Sequence, residues 1–426
     1  MVLLHGSQGC STYMRRYISG HFREPVDIAS SALSETQAVY GGAENLKQGI
    51  RNVVAKYAPA VLGVATTCLA ETIGDDVGMA IAELLEEDPE MRAIEIIPVS
   101  TPSYSGGYMD GFRDSCVAIL EKMASAEQSR ADQGSGRIGR LNLFPGFLSP
   151  ADIRYLKLVM AGFGLESMIV PDISETLDAG IGPVFSRIPA GGASVKDIRL
   201  AGSATASIEL GLLNPAGQSA ALLLERSLGV PARRLPIPMG IRYSDLLFEA
   251  ICSVTGTPLP EKYQQERGRL VDAMVDAHKY LFGKRAVVYG EPDFVAALTC
   301  FLADVGVQPV VCASGGDGPE FRKTLEVLTR DLDETPEILV ETDFSDIRFH
   351  SRAAAADLLI GSSKGNHIAR DLDIPLVRLG YPIHDRIGGQ RILHVGYAGA
   401  LNLLDILTNT LIAKEQEHLG YGYSYM

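Results

Sequence analysis

The chain repeats one unit: a short apolar run, a turn, then a helix-forming stretch. "AVLGVATTC" (60–68) reads as a buried strand that feeds the helical "LAETIGDDVGMAIAELLEE". "RAVVYGEPDFVAALTCFLADVG" (285–306) repeats strand, turn and helix, and "QPVVCAS" (308–314) supplies the next strand. "DLLIGSSKGNHIARDL" (357–372) and "PLVRLGYP" (375–382) continue the pattern. Strands that alternate with helices imply α/β architecture, with parallel sheets covered on both faces.

A length of 426 residues suggests two or three domains, and two polar stretches offer boundaries. "SAEQSRADQGSGRIGR" (125–140) reads as a linker or surface excursion. "TGTPLPEKYQQERGR" (255–269) is a Pro-rich entry into a long helix. Three α/β domains follow, at 1–135, 136–258 and 259–426. The tail "HLGYGYSYM" is aromatic and Gly-rich, the composition of a subunit contact or of a packed tail.

The net charge of −14 argues against nucleic acid as a partner. No apolar stretch reaches the roughly 18 residues of a membrane span. The opening "MVLLHGSQG" is too short for a signal-peptide core, so a cytoplasmic protein is expected. Six cysteines, Cys10, Cys68, Cys116, Cys252, Cys300 and Cys312, show no CxxC and read as thiols or metal ligands.

Cys10 follows Gly9 and precedes a helix capped by Ser11 or Thr12. A thiolate there gains from the helix dipole and from free N–H groups. Cys68 lies where a strand ends and a helix begins. Open parallel sheets bind ligands at the carboxyl ends of their strands, so the two cysteines can converge on one ligand. Gly6 and Gly9 would admit close approach of a bulky group. On spacing alone, two cysteines this far apart equally suit small buried hydrophobes. Asp272 and Asp276, four apart in "RLVDAMVDAHKY", share one helix face and repel unless solvated or bridged by a cation. Neither "GGAENL" (41–46) nor "YGEPDF" (289–294) has the G-x-G-x-x-G spacing, no H-E-x-x-H occurs, and His21, His278, His367 and His384 are scattered in the manner of structural histidines.

"HGSQGC" (5–10), "HFREP" (21–25), "YGG" (40–42), "TTCLAETIGDDV" (66–77), "TPSY" (101–104), "PGF" (145–147), "ERGRLVD" (266–272), "GEPDFV" (290–295) and "YPIHDR" (381–386) run in order along nearly the whole chain. Together they resemble the β-type subunit of nitrogenase component 1. The resemblance implies three Rossmann-like domains. It implies an α-type partner in an α2β2 heterotetramer, with an iron–sulfur P-cluster at their interface. That cluster relays electrons from an ATP-driven iron protein to a catalytic iron–sulfur cofactor in the partner, so this chain itself carries no catalytic residue.

By the resemblance, Cys10 and Cys68 match cluster cysteines, and Ser103 matches a serine that ligates the oxidised cluster. Tyr13 matches a tyrosine between the docking surface and the cluster. Tyr40 stands where the family has a docking phenylalanine. Asp272 and Asp276 match aspartates that bind a calcium or iron ion between two β chains, which Glu24 approaches by its carboxylate and Arg23 by its backbone carbonyl. The family supplies a further cysteine upstream of HGSQGC, ahead of Met1. The resemblance therefore implies [8Fe-7S] with that ligand and [4Fe-4S] without it. Dinitrogen and the C–S bond of methylthio compounds, reduced by methylthio-alkane reductases, are the implied substrates. The alternative is a scaffold subunit for cofactor assembly, although the TTC cysteine usually replaced in such scaffolds is kept here as Cys68.

Overall fold

The computed structural model describes residues 1–125, 139–182, 186–316 and 318–417. The expected linker at 125–140 lies outside the described residues except for 125, 139 and 140, and the aromatic tail 418–426 lies outside them entirely.

Three sheets form. The first holds β1 (Val2–His5), β2 (Ala29–Ser30), β3 (Val61–Thr66) and β4 (Glu95–Val99) in the order β2-β1-β3-β4. All its pairings are parallel, with Val2 opposite Gly63 and His5 opposite Thr66. The second holds β5 (Leu141–Phe144), β6 (Ser167–Ile169), β7 (Ala206–Leu210) and β8 (Ala232–Leu235) in the order β6-β5-β7-β8. The third holds β9 (Arg285–Tyr289), β10 (Gln308–Ala313), β11 (Glu337–Leu339), β12 (Leu358–Gly361) and β13 (Leu376–Arg378) in the order β11-β10-β9-β12-β13. Its pairings are also parallel. Each interval 1–135, 136–258 and 259–426 holds one sheet.

The chain forms two compact units. One comprises Met1–Arg137, Met168–Ser207 and Pro215–Ala232; the other comprises Ile138–Ser167, Ile208–Asn214 and Arg233–Met426. In the first unit, Leu3, Leu62 and Val64 of the sheet pack with Leu46 and Ile50 of α3 (Ala43–Tyr57), all fully buried. The spacing of Leu46, Ile50 and Val53 puts one face of α3 against the sheet. Each such side chain contributes about 1.5–3 kcal/mol by its burial. In the second unit, Val287, Val311 and Leu359 form the core of the third sheet. Phe163 stacks on Tyr263 there at 6.0 Å and Phe248 on Tyr397 at 4.8 Å.

The helix expected over 69–87 divides in two. α4 (Cys68–Ile73) closes at Gly74, whose φ of 76° is left-handed. α5 (Val77–Glu87) then starts afresh, with the Asp76 carboxylate accepting from Met79 N at 2.8 Å. A glycine stop followed by an aspartate cap outweighs the apolar periodicity that runs through both. Among the described residues no helix is long and apolar enough to cross a membrane.

Candidate metal centre

In the first sheet the chain turns from β1 outward to β2 on one side, and to β3 on the other. That reversal is a topological switch point at the carboxyl ends of β1 and β3, the place where open α/β sheets hold ligands. Cys10 lies in the first turn of α1 (Gln8–Phe22), which follows β1. Cys68 opens α4 directly after β3. His5 and Thr66 are paired at the two strand ends, and Thr67 N donates to His5 O at 3.0 Å. Adjacent strand ends thus carry both cysteines.

One local expectation is corrected. The helix of Cys10 starts before the cysteine, with Ser7 in extended conformation at its entrance; Ser11 and Thr12 instead donate back to Gln8 O, each at 3.0 Å. At Gly6 a Cβ would overlap the Thr67 side chain, so its bareness lets the two strand ends close together. Gly9 borders open space, with nothing within 4 Å of a would-be Cβ.

Cys68 Sγ lies 2.9 Å from Ser103 Oγ and accepts from Ser103 N at 3.2 Å. The Ser103 hydroxyl and then its amide stabilise the thiolate and hold the Cys68 thiol below the usual cysteine range. Burial does the reverse elsewhere, raising Cys252 and pushing Cys300 and Cys312 up to about 12. All six cysteines are free thiols. Cys10 is half-buried, with its Sγ 3.5 Å from Ser7 Oγ.

Ser103 is placed by a lattice that sequence reasoning missed. Thr101 Oγ1 donates to Thr66 O at 2.7 Å, and Thr101 N donates to Thr66 Oγ1 at 3.0 Å. Thr66 and Ser100 both donate to Glu71 Oε1 at 2.5 Å. Glu71 thereby clamps the end of β3 to the segment after β4. It sits inside "TTCLAE", but nothing in its spacing marks that role.

His5 and Asp75 were missed as well. His5 is fully buried, with Nε2 3.1 Å from Asp75 Oδ2 and Nδ1 3.0 Å from Ser31 Oγ. Burial lowers its pKa, against the opposing pull of Asp75. Gly42 N donates to both Asp75 carboxylate oxygens, each at 3.0 Å.

The other expected residues are spread out. Tyr13, one turn beyond Cys10 on α1, is 65% exposed, and Tyr40, the last residue of α2 (Glu35–Tyr40), is 85% exposed. Asp272 and Asp276 are exposed one turn apart on the helix Glu261–Leu281. Glu24 Oε1 accepts from Ala179 N at 2.9 Å, and Arg23 ends α1 in a left-handed conformation with φ of 61°.

The donors at these strand ends, the Cys68 thiol beside the Ser103 hydroxyl and the Cys10 thiol on the neighbouring strand's helix, suit a soft metal or an iron–sulfur cluster. The set is also partial. Among the described residues no group of three or more His, Cys, Asp or Glu side chains is placed to hold a metal ion. The residues therefore fit part of the donor set of such a cluster.

Known proteins match the chain over nearly its whole length. The family model for nitrogenase component 1 type oxidoreductases matches residues 1–412. The nitrogenase molybdenum-iron protein beta chain of Methanothermobacter thermautotrophicus is 34% identical over 424 residues, covering 97% of this chain and 90% of the relative. The nitrogenase iron-molybdenum cofactor biosynthesis protein NifN of Bradyrhizobium diazoefficiens is 31% identical over 419 residues, covering 98% and 86%. A solved structure described as nitrogenase Cp1 at pH 6.5 superposes with a TM-score of 0.94 at 32% identity, covering 100% of this chain and 91% of that one.

Proposed function

Because the chain belongs to the nitrogenase component 1 type oxidoreductases, we propose that it is a β-type subunit that relays electrons from an ATP-dependent iron protein to a catalytic cofactor in an α-type partner. Cys10 and Cys68 hold one end of an interfacial P-cluster, or of a smaller [4Fe-4S] cluster, with thiolates of the partner completing it. The bound cluster supplies one-electron storage and transfer. Ser103 keeps the Cys68 sulfur in its thiolate form and stands beside it as an oxygen donor. Tyr13 occupies the path from the surface, and Tyr40 is the docking anchor. The reduction itself, of dinitrogen or of a C–S bond in methylthio compounds, takes place on the partner, and no residue of this chain is assigned to it.

The observation that carries this reading is the Cys68–Ser103 contact at one of two adjacent strand ends, the other bearing Cys10. Replacing Cys68 by alanine removes both a bond and a charge from any cluster held there. In the purified complex, Cys68→Ala is expected to lose iron and its electron-paramagnetic signal. Full iron content with unchanged spectra overturns the reading.

The second reading, a scaffold for cofactor assembly, draws on the likeness to the cofactor biosynthesis protein. Retention of Cys68 and Ser103 favours the relay. The discriminating measurement is ATP-dependent oxidation and re-reduction of the cluster on addition of iron protein. A scaffold instead hands its cofactor to cofactor-free enzyme.

Asp272 and Asp276 form half of a calcium site between two β chains in the α2β2 assembly. The Glu24 carboxylate and the Arg23 carbonyl of the second chain supply the remaining oxygens. Hard oxygen donors suit calcium, with iron as the alternative.

A further inference from the structure

We propose that His5 and Asp75 are positioning residues, which fasten the docking segment ending in Tyr40 to the strand ends that carry Cys10 and Cys68. The proposal rests on the docking role of Tyr40 given above. α2 is a six-residue helix with no buried residue. A helix this short does not hold itself together in water, and one without a buried face is not held by a core. Ser34 N donates to Gln37 Oε1 at 3.0 Å and caps α2, which lies against α4, and its two ends tie it to the sheet.

Both ends lead to the same place. On the entry side, Leu33 is buried and its N–H donates to Gly6 O at 2.9 Å, next to His5. On the exit side, two residues past Tyr40, Gly42 N donates to the Asp75 carboxylate, which His5 holds from below. Gly42 is the N-cap of α3, so the carboxylate faces the positive end of a 15-residue helix. Both interactions involve a charged acceptor and are correspondingly strong. Three groups converge on Gly42: a Cβ there would fall 2.6 Å from Asp75 Oδ2, 2.6 Å from Leu33 Cδ2 and 3.0 Å from His5 Cε1. Asp75 is anchored in turn, since its N–H donates to Ala70 O at 3.2 Å, inside the helix that Cys68 opens. Ser31 completes the tie, accepting from Gly6 N at 3.0 Å while it faces His5 Nδ1. An aromatic ring that is almost wholly exposed is thus referenced to both cysteine-bearing segments by hydrogen bonds through one buried imidazole.

The test uses the assembled complex and titrates the iron protein. Asp75→Asn, which weakens the Gly42 contact, is expected to raise the apparent KM for the iron protein about tenfold, the scale of a lost interface anchor. Saturating turnover, iron content and cluster spectra stay at wild-type values. His5→Ala behaves like Asp75→Asn and carries the same comparison if that variant fails to fold. His5→Gln, which keeps a donor toward Asp75, retains the wild-type KM. Because Asp75 acts through Tyr40, Asp75→Asn combined with Tyr40→Ala is no weaker than Tyr40→Ala alone. Additive losses in the double variant overturn the positioning role, as does loss of iron at unchanged KM. If Tyr40→Ala raises KM while Asp75→Asn does not, the positioning role alone fails. If Tyr40→Ala leaves KM unchanged, the docking reading fails and takes the positioning role with it.

Discussion

The sulfur of Cys68 and the hydroxyl of Ser103, 35 residues apart in sequence, lie 2.9 Å apart, and the Ser103 amide donates to the same sulfur. The contact makes Cys68 distinct among the free cysteines, since its thiol is held low while those of Cys252, Cys300 and Cys312 are pushed up by burial. Thiolates, not thiols, attack alkylating agents and bind metals.

In the cluster-free chain at neutral pH, Cys68 is therefore expected to react with iodoacetamide well before Cys300 and Cys312. Ser103→Ala removes the largest cause of the lowered pKa and slows the reaction at Cys68 specifically. Timed alkylation followed by mass spectrometry reads both rates. Equal rates in Ser103→Ala and wild type contradict the assignment.

Gly42→Ala is expected to destabilise the first unit, because the added methyl meets the Asp75 carboxylate and the Leu33 side chain at once. Overpacking of this kind costs about 1–3 kcal/mol. Thermal unfolding followed by circular dichroism measures the loss, and a melting temperature equal to wild type counts against the packing described.

Stability of the first unit depends on pH through His5. Burial lowers its pKa, so the native imidazole is neutral where the unfolded one begins to take a proton. The unfolded state then binds more protons, and stability falls as pH drops below the ordinary value of 6.5 toward the lowered one. Urea unfolding across this range is expected to show a shallower pH dependence in His5→Gln than in wild type. Identical slopes would place the effect on other groups.

Asp272 and Asp276 present two like charges at one-turn spacing, which repel unless a cation or water neutralises them. Chelation of calcium is expected to split the α2β2 complex into αβ halves, as read by light scattering. Asp272→Asn with Asp276→Asn removes the response to chelator. A tetramer untouched by chelator, with wild-type mass in the double variant, rules out the cation.

The alternation of strand and helix was legible in the residues alone, because short runs rich in β-branched side chains such as "AVLGVAT" and "RAVVY", followed by helix-forming stretches, suit the covered strands of a parallel sheet. β9, β10, β12 and β13 lie where those runs place them. The order of motifs from "HGSQGC" to "YPIHDR" was legible as a family signature, and with it the candidate ligands Cys10 and Cys68. The break at Gly74 was written in the sequence too, as a glycine stop before an aspartate cap, but the apolar periodicity running through both helices masked it. What joins the motifs depends on how the folded segments meet. His5 and Asp75 are 70 residues apart, Gly42 and Asp75 are 33 apart, and Thr66 reaches Thr101 across 35. No periodicity or spacing encodes such partners, because a hydrogen bond depends on where strand order and register bring two chain segments. Here the order β2-β1-β3-β4 brings them to one end of one sheet.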